Sequence, residues 1–153
     1  MSNPEACAPP PRTESGGSAL TVRVYYEDTD AAGVVYYANY LRYCERARTE
    51  WLRTLGYSQQ ALLENHAIAF VVRSIEAQFL APARLDDTLE IMTTVLRLGG
   101  ASLSFSQRIV RNHSPIFTAQ VGIACVDQRS GRPIPIPSGL KTRIRTTLQE
   151  ATP

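Results

Sequence analysis

The stretch Leu20-Thr21-Val22-Arg23-Val24-Tyr25-Tyr26-Glu27-Asp28-Thr29-Asp30-Ala31-Ala32-Gly33 changes its periodicity within a few residues of its end. Up to Tyr26 the apolar residues Leu20, Val22 and Val24 alternate with Thr21, Arg23 and Tyr25, the period of a half-buried strand. Asp28 to Gly33 reads as a turn. Beyond it Leu41, Cys44, Ala47, Trp51, Leu52 and Leu55 recur at spacings of three and four, with Arg42, Glu45, Arg46, Thr49, Glu50 and Arg53 between them. That is one long amphipathic helix, and Gly56 is suited to end it. Ser58 is placed to cap a short second helix over Gln59–Leu63.

Outward from this core the chain divides simply. Residues 1–19 carry Pro4, Pro9, Pro10, Pro11, Gly16 and Gly17 with little to bury, and read as a disordered tail. They hold no apolar stretch of the secretory type, so the expected compartment is the cytoplasm. From about Ala69 to Asp127 strands follow one another. Val71, Arg73, Ile75, Ala77 and Phe79 fall on one face by alternation; Leu103, Phe105, Gln107 and Ile109 oppose Ser102, Ser104, Ser106 and Arg108. Gly99-Gly100 and Asn112-His113-Ser114-Pro115 read as turns. Pro133, Pro135 and Pro137 hold the next segment extended, residues 140–149 suit a terminal helix, and 146–153 are expected to be flexible. A strand, one long helix and then strands joined by short turns leave no helices for parallel crossovers. The expected class is α+β, an antiparallel sheet around one helix, in a single domain over 20–145.

Composition excludes more than it assigns. With 153 residues the chain can bury a core without staples. A net charge of +2 does not suit a nucleic-acid binder, and no apolar run spans a membrane. Fifteen of the sixteen basic residues are arginine, Lys141 being the exception; this suits phosphate recognition and equally a biased base composition. Cys7, Cys44 and Cys125 form no paired motif, and His66 and His113 stand 47 residues apart, so no zinc site is expected. Cys44 lies on the apolar helical stripe and reads as a core residue. Neither a G-x-S-x-G elbow nor a phosphate-binding P-loop is present.

Chemistry is therefore expected between Asp28 and Tyr40. A helix start offers unpaired N–H groups and the positive end of the macrodipole, and two carboxylates, Asp28 and Asp30, stand just before it. An acid beside an oxyanion-binding terminus serves acyl transfer. Read from pattern alone, the same two residues serve as turn and N-cap residues. A calcium loop is rejected, because Ala32 and Asn39 would occupy ligand positions that need other oxygen donors. Arg73, on the apolar face of its strand, needs a partner: Glu45 or Glu50 of the helix, or an anionic ligand. Ser102, Ser104 and Ser106 suit either a solvated sheet face or a phosphate contact.

The run from Glu27 to Leu41, followed by Glu45-Arg46-Ala47-Arg48-Thr49-Glu50, resembles the signature of hotdog-fold acyl-CoA thioesterases of the 4-hydroxybenzoyl-CoA thioesterase type. It is most similar to the branch associated with the Tol–Pal cell-envelope system. Phe70-Val71-Val72-Arg73, Ala81-Pro82-Ala83-Arg84-Leu85-Asp86-Asp87 and Gln107-Arg108-Ile109-Val110 match that branch too. The resemblance covers about residues 20–140. It implies a hotdog fold, a sheet wrapped around one helix, and dimers commonly paired into homotetramers with sites at subunit interfaces. It implies Asp30 as catalytic carboxylate and the backbone N–H of Tyr37 as the donor that polarises the thioester carbonyl. Gly33, Val34, Arg73 and Ser102 are the expected substrate-binding residues. No cofactor and no metal are implied; the partners are an acyl-CoA or acyl-carrier-protein thioester, further copies of the chain, and a peripheral link to cell-envelope machinery. Many members of the branch carry His where this chain has Tyr37. A non-catalytic acyl-binding module and a hydroxyacyl-thioester dehydratase are the alternatives; the second needs a histidine that the helix-start motif lacks.

Overall fold

The computed structural model describes residues 17–150. Five strands, β1 (Ser18–Arg23), β2 (Ile68–Phe79), β3 (Thr88–Leu98), β4 (Ser102–Arg111) and β5 (Ser114–Asp127), form one antiparallel sheet in the order β1-β3-β4-β5-β2. Helix α1 (Tyr37–Thr54) lies across the concave side, nearest β3 and β1. A short α2 (Gln59–His66) and a terminal α3 (Ser138–Glu150) close the ends. This is the α+β arrangement expected from the periodicity.

The stripe predicted for the long helix is its buried face. Tyr40, Tyr43, Cys44, Ala47, Trp51 and Leu52 meet Leu89, Ile91, Phe105, Ile109 and Phe117 of the sheet. The buried inward positions of β3 to β5 are apolar except Thr93 and Gln107. Ser58 caps α2 as expected, accepting the Ala61 N–H at 3.1 Å. Burial pushes the Cys44 thiol up to about 12 and raises Cys125 as well, so both are inert packing residues. Iodoacetamide at about pH 8 is expected to leave both unmodified until denaturant is added, as peptide mass mapping would show.

Several boundaries differ from the pattern. β1 begins at Ser18, two residues inside the stretch read as tail, because Ser18 and Ala19 pair with Thr93 and Met92 and are buried. It ends at Arg23; Tyr26–Asp28 is one 3-10 turn. α1 starts at Tyr37, four residues before the first periodic residue, since its first turn buries Asn39 and Tyr40. The hairpin between β4 and β5 is the two-residue Asn112-His113, both at positive φ, with Ser114 and Pro115 already in the strand. Residues 146–150 continue α3, with Thr147 buried. The remainder of the two terminal segments lies outside the described residues.

The largest correction concerns β2. Its register against β5 shifts between Val72 and Ser74, so Arg73 is the extra residue of a β-bulge. A bulge reverses the phase of alternation. Val72 pairs with core-facing Ile123, and Ile75 with core-facing Val121, whereas Val71 pairs with Ala124 on the opposite face. Arg73 therefore does not share a face with Ile75 and Phe79. It lies beside Ser74 on the outer side of the sheet, and its expected partners are engaged elsewhere: Glu45 pairs with Arg48, and Glu50 with Arg53.

Candidate active site

The turn after β1 is built by short-range bonds that this run of residues dictates. Asp28 Oδ2 accepts the Tyr25 N–H at 2.8 Å, and Thr29 Oγ1 donates to the Tyr26 carbonyl at 2.8 Å. Thr29 bridges Val35, and inside that bridge the Asp30 N–H donates to the Val34 carbonyl and the Gly33 N–H to the Asp30 carbonyl, both at 2.9 Å. Asp30 Oδ1 accepts the Ala32 N–H at 2.9 Å, an Asx turn that leaves the other carboxylate oxygen outward. Gly33 sits at φ +78°, where a side chain is strained, and open space surrounds it.

Neither aspartate side chain caps α1. Its N-cap is Tyr36, without a side-chain bond, and the Asp28 contribution comes from its main chain. The Asp28 carbonyl accepts both the Tyr36 N–H at 2.9 Å and Asn39 Nδ2 at 2.8 Å. These two bonds tie the turn to the helix start, where Tyr37 is the first helical residue and its N–H has no acceptor within the helix. Asp30, Gly33, Val34 and Tyr37 are thus brought together in one unit.

Behind this unit stands a support that the pattern did not single out. The Val35 N–H donates to the Ala83 carbonyl at 2.8 Å, and the Ala83 N–H to the buried Tyr40 hydroxyl at 3.0 Å. Asp87 accepts the Arg84 N–H at 2.9 Å and Arg111 at 3.0 Å. Asn39, Tyr40 and Asp87 hold the turn from below. Their only signal in the sequence is a polar or aromatic residue where a helix start or a connection would bury it.

In front, aromatic rings run from core to surface. Phe117 stacks on Tyr40 at 5.3 Å, Phe79 meets both, and Tyr37 meets Phe79 at 6.4 Å and Tyr36 at 4.8 Å. Tyr36 and Tyr37 are exposed, at 47% and 60%. The Tyr37 hydroxyl raises the Tyr36 phenol above its ordinary value, and the Asp30 charge adds to that. The carboxylate therefore acts on the same exposed surface as the two rings.

Arg73 and Ser102 are not part of this cluster. They lie on the outer face of the sheet, in a cleft shared with Ser74, Arg97, Ser104 and Gly122. A second bulge, at Leu96, places Arg97 opposite Ser104, and Ser104 pairs with Gly122, which pairs with Ser74. The two bulges set an arginine on either side of one row. Gly122 forms its floor, since a Cβ there would collide with the Ser74 hydroxyl. Among the described residues no group of acids, cysteines and histidines could hold a metal, and no helix is long and apolar enough to cross a membrane.

Residues 24–144 match the model of the thioesterase-like superfamily. The chain is 48% identical to the acyl-CoA thioesterase YbgC of Haemophilus influenzae over 125 residues, 82% of this chain and 92% of that one. It is 41% identical to the acyl-CoA thioesterase YbgC of Helicobacter pylori over 131 residues, 80% of this chain and 96% of that one. Among solved structures it resembles a probable thioesterase from Bartonella henselae, with a TM-score of 0.76, 40% identity and coverage of 79% and 99% of the two chains. A 1,4-dihydroxy-2-naphthoyl-CoA thioesterase from Synechocystis gives 0.79 at 25% identity, covering 84% and 96%. With the helix, the antiparallel sheet and the strand-to-helix turn all in place, the chain belongs to the thioesterase-like superfamily of hotdog-fold enzymes.

Proposed function

We propose that the chain hydrolyses an acyl-CoA thioester to CoA and a free acid, with Asp30 as the reacting carboxylate and the Tyr37 N–H as the oxyanion donor. The observation that carries this is the joining of the two in one unit: the turn that presents Asp30 is bonded through Asp28 to the residues flanking the first N–H of α1. A thioester carbonyl seated on that N–H is polarised along the helix dipole. The carboxylate attacks its carbon, giving a mixed anhydride that water then hydrolyses to the free acid, or it takes a proton from a water that attacks instead. CoA leaves as a stabilised thiolate, so no strong general acid is needed. The open space at Gly33 and the short path through Val34 leave room for the thioester to approach. The relatives' names support CoA as the thiol.

The outer cleft supplies a site for the CoA phosphates. Arg73 and Arg97 bring positive charge, and Ser102, Ser104 and Ser74 bring hydroxyl donors, with no acid in the lining. Arg73 lies six residues before Phe79, about 20 Å along β2, the order of a phosphopantetheine arm's length. Arg73→Met with Arg97→Met is expected to raise KM for acyl-CoA about tenfold or more with kcat held, the loss of charged hydrogen bonds in binding alone. The same pair should be indistinguishable from wild type on an acyl-pantetheine thioester, which lacks the nucleotide. A thiol-release assay on the two substrates reads both results; an equal loss on both would refute the phosphate role.

The working form is a homo-oligomer, a dimer or a dimer of dimers. β2 is an edge strand of twelve residues, and its core-facing Val72, Ile75 and Phe79 stay 45%, 39% and 53% exposed because α1 covers the β3 and β1 end of that same face. A free edge with an uncovered apolar face is a template for a second copy.

A further inference from the structure

Tyr43 lies on α1 one turn beyond Asn39, and its side chain is buried, at 1% exposure. Tyr40 meets its ring edge-on at 6.5 Å, and the Arg46 guanidinium lies over the ring at 5.8 Å. Its hydroxyl has no hydrogen-bond partner, alone in this among the buried side-chain polar atoms of the described residues. A buried hydroxyl left unmet is unfavourable, and a native fold that keeps one needs a reason for it. Phenylalanine would fill the same space without that burden.

The acceptor that faces this hydroxyl is the Asp28 carboxylate. Asn39 and Tyr43 are spaced i, i+4 and share one face of the helix, and Asn39 already holds the Asp28 carbonyl at 2.8 Å. Asp28 therefore stands over that face, with its main chain tied to Tyr36 and Asn39 and its carboxylate between Tyr25 and Tyr43. A carboxylate accepts from several donors, so the Tyr25 N–H leaves capacity for the phenol. Burial and the Asp28 carboxylate raise the Tyr43 phenol above its ordinary value, which keeps it a donor at neutral pH. The two groups are thus neighbours without a closed bond. Tyr43 is fixed by its packing, whereas Tyr25 to Glu27 and Asp30 to Gly33 are exposed, so the turn is the part free to shift. A shift that closes the bond resets Asp30, two residues further on, relative to the Tyr37 N–H.

We infer that Tyr43 is a positioning residue for hydrolysis: its hydroxyl closes on the Asp28 carboxylate when a thioester is seated at the turn, and so fixes Asp30 against the carbonyl carbon. The inference rests on the thioesterase reading above. A bond made only in the loaded site favours bound substrate and transition state and adds nothing to the stability of the free fold. Asparagine at position 28 still offers the phenol an amide oxygen and loses only the charge, whereas alanine there leaves it nothing to close on.

Tyr43→Phe is compared with wild type in thiol release over acyl-CoAs from acetyl to decanoyl, with benzoyl-CoA alongside, and in thermal unfolding. Calorimetry adds the binding of a non-hydrolysable ketone analogue of butanoyl-CoA, with a methylene in place of the thioester sulfur. The substitution is expected to lower kcat/KM about tenfold and to weaken the ketone about three- to tenfold, the scale of one hydrogen bond to a charged group. The free protein should unfold within about 2 °C of wild type. In an Asp28→Ala background Tyr43→Phe should change ketone binding and kcat/KM by less than about twofold, its partner being gone. A fall in Tm with kinetics and ketone binding unchanged would mean a hydroxyl already paired in the free fold, and overturns the assignment. So does a kinetic loss matched by a fall in Tm, or full additivity with Asp28→Ala. Ketone binding that depends on Tyr43, with no turnover of any acyl-CoA, leaves the contact standing and overturns the hydrolase reading alone.

Discussion

Asp30→Asn is expected to cut kcat/KM for acyl-CoA hydrolysis by about 10²–10⁴-fold, the range for losing a positioned base, while the protein unfolds at nearly the wild-type temperature. The separation follows from how Asp30 is held. Its structural bond is made by Oδ1, which accepts the Ala32 N–H, and the amide oxygen of asparagine accepts that N–H equally well. The other bonds of the turn belong to its main chain. What asparagine lacks is the negative charge, needed both to attack a carbonyl carbon and to take a proton from water. Asp28 provides the internal control. Its carboxylate is occupied by the Tyr25 N–H and its carbonyl by Tyr36 and Asn39, so Asp28→Asn keeps each of those bonds and should retain activity within a few-fold. Thiol release with thermal unfolding on both variants tests the pair. Undiminished hydrolysis by Asp30→Asn, or an equal loss in both, would remove Asp30 from the chemistry.

That contrast also shows where pattern reading stopped. The alternation and the three-four spacing decided the sheet, the helix and the order between them, because burial of one face is a periodic demand. The motif around Asp30 and Tyr37 was equally visible, being continuous in sequence. Two acids two residues apart before a helix looked alike as caps, yet one binds through its carbonyl and the other through an Asx turn. Only the fold separates them. The face of Arg73 was hidden for a different reason: one inserted residue at a bulge reverses the face of everything before it, and nothing local in Phe70-Val71-Val72-Arg73 announces the insertion. Arg97 escaped notice likewise, since the bulge at Leu96 sets its face and its neighbours come from two other strands. A candidate site made by one segment is visible as a motif, and a cleft assembled across strands is not.

The second large effect concerns the means by which α1 is fixed against the sheet. Gln107 is fully buried on the inner face of β4, a position that alternation assigned to the core despite its amide. Its oxygen accepts Arg48 Nη1 at 2.8 Å, and its nitrogen donates to the Cys44 carbonyl at 3.0 Å and to Thr93 Oγ1 at 2.9 Å. Arg48, only 8% exposed, spends its other nitrogen on Glu45. Replacing Gln107 by leucine keeps the volume but leaves the buried guanidinium with Glu45 alone and takes the amide from the buried Thr93 hydroxyl. Gln107→Leu is therefore expected to cost about 2–4 kcal/mol, one lost hydrogen bond to a charged group and one to a buried hydroxyl. For a chain of this length that is a fall of roughly 4–16 °C in Tm. Arg48→Met in the same background removes the guanidinium that lost its amide partner, and a buried hydrogen-bonded pair replaced whole by apolar groups is often near neutral. The double variant should then regain a large part of the loss, a coupling of about 1–3 kcal/mol in a double-mutant cycle read by urea unfolding. Simple additivity of the two substitutions would mean that Arg48 and Gln107 do not act as a unit.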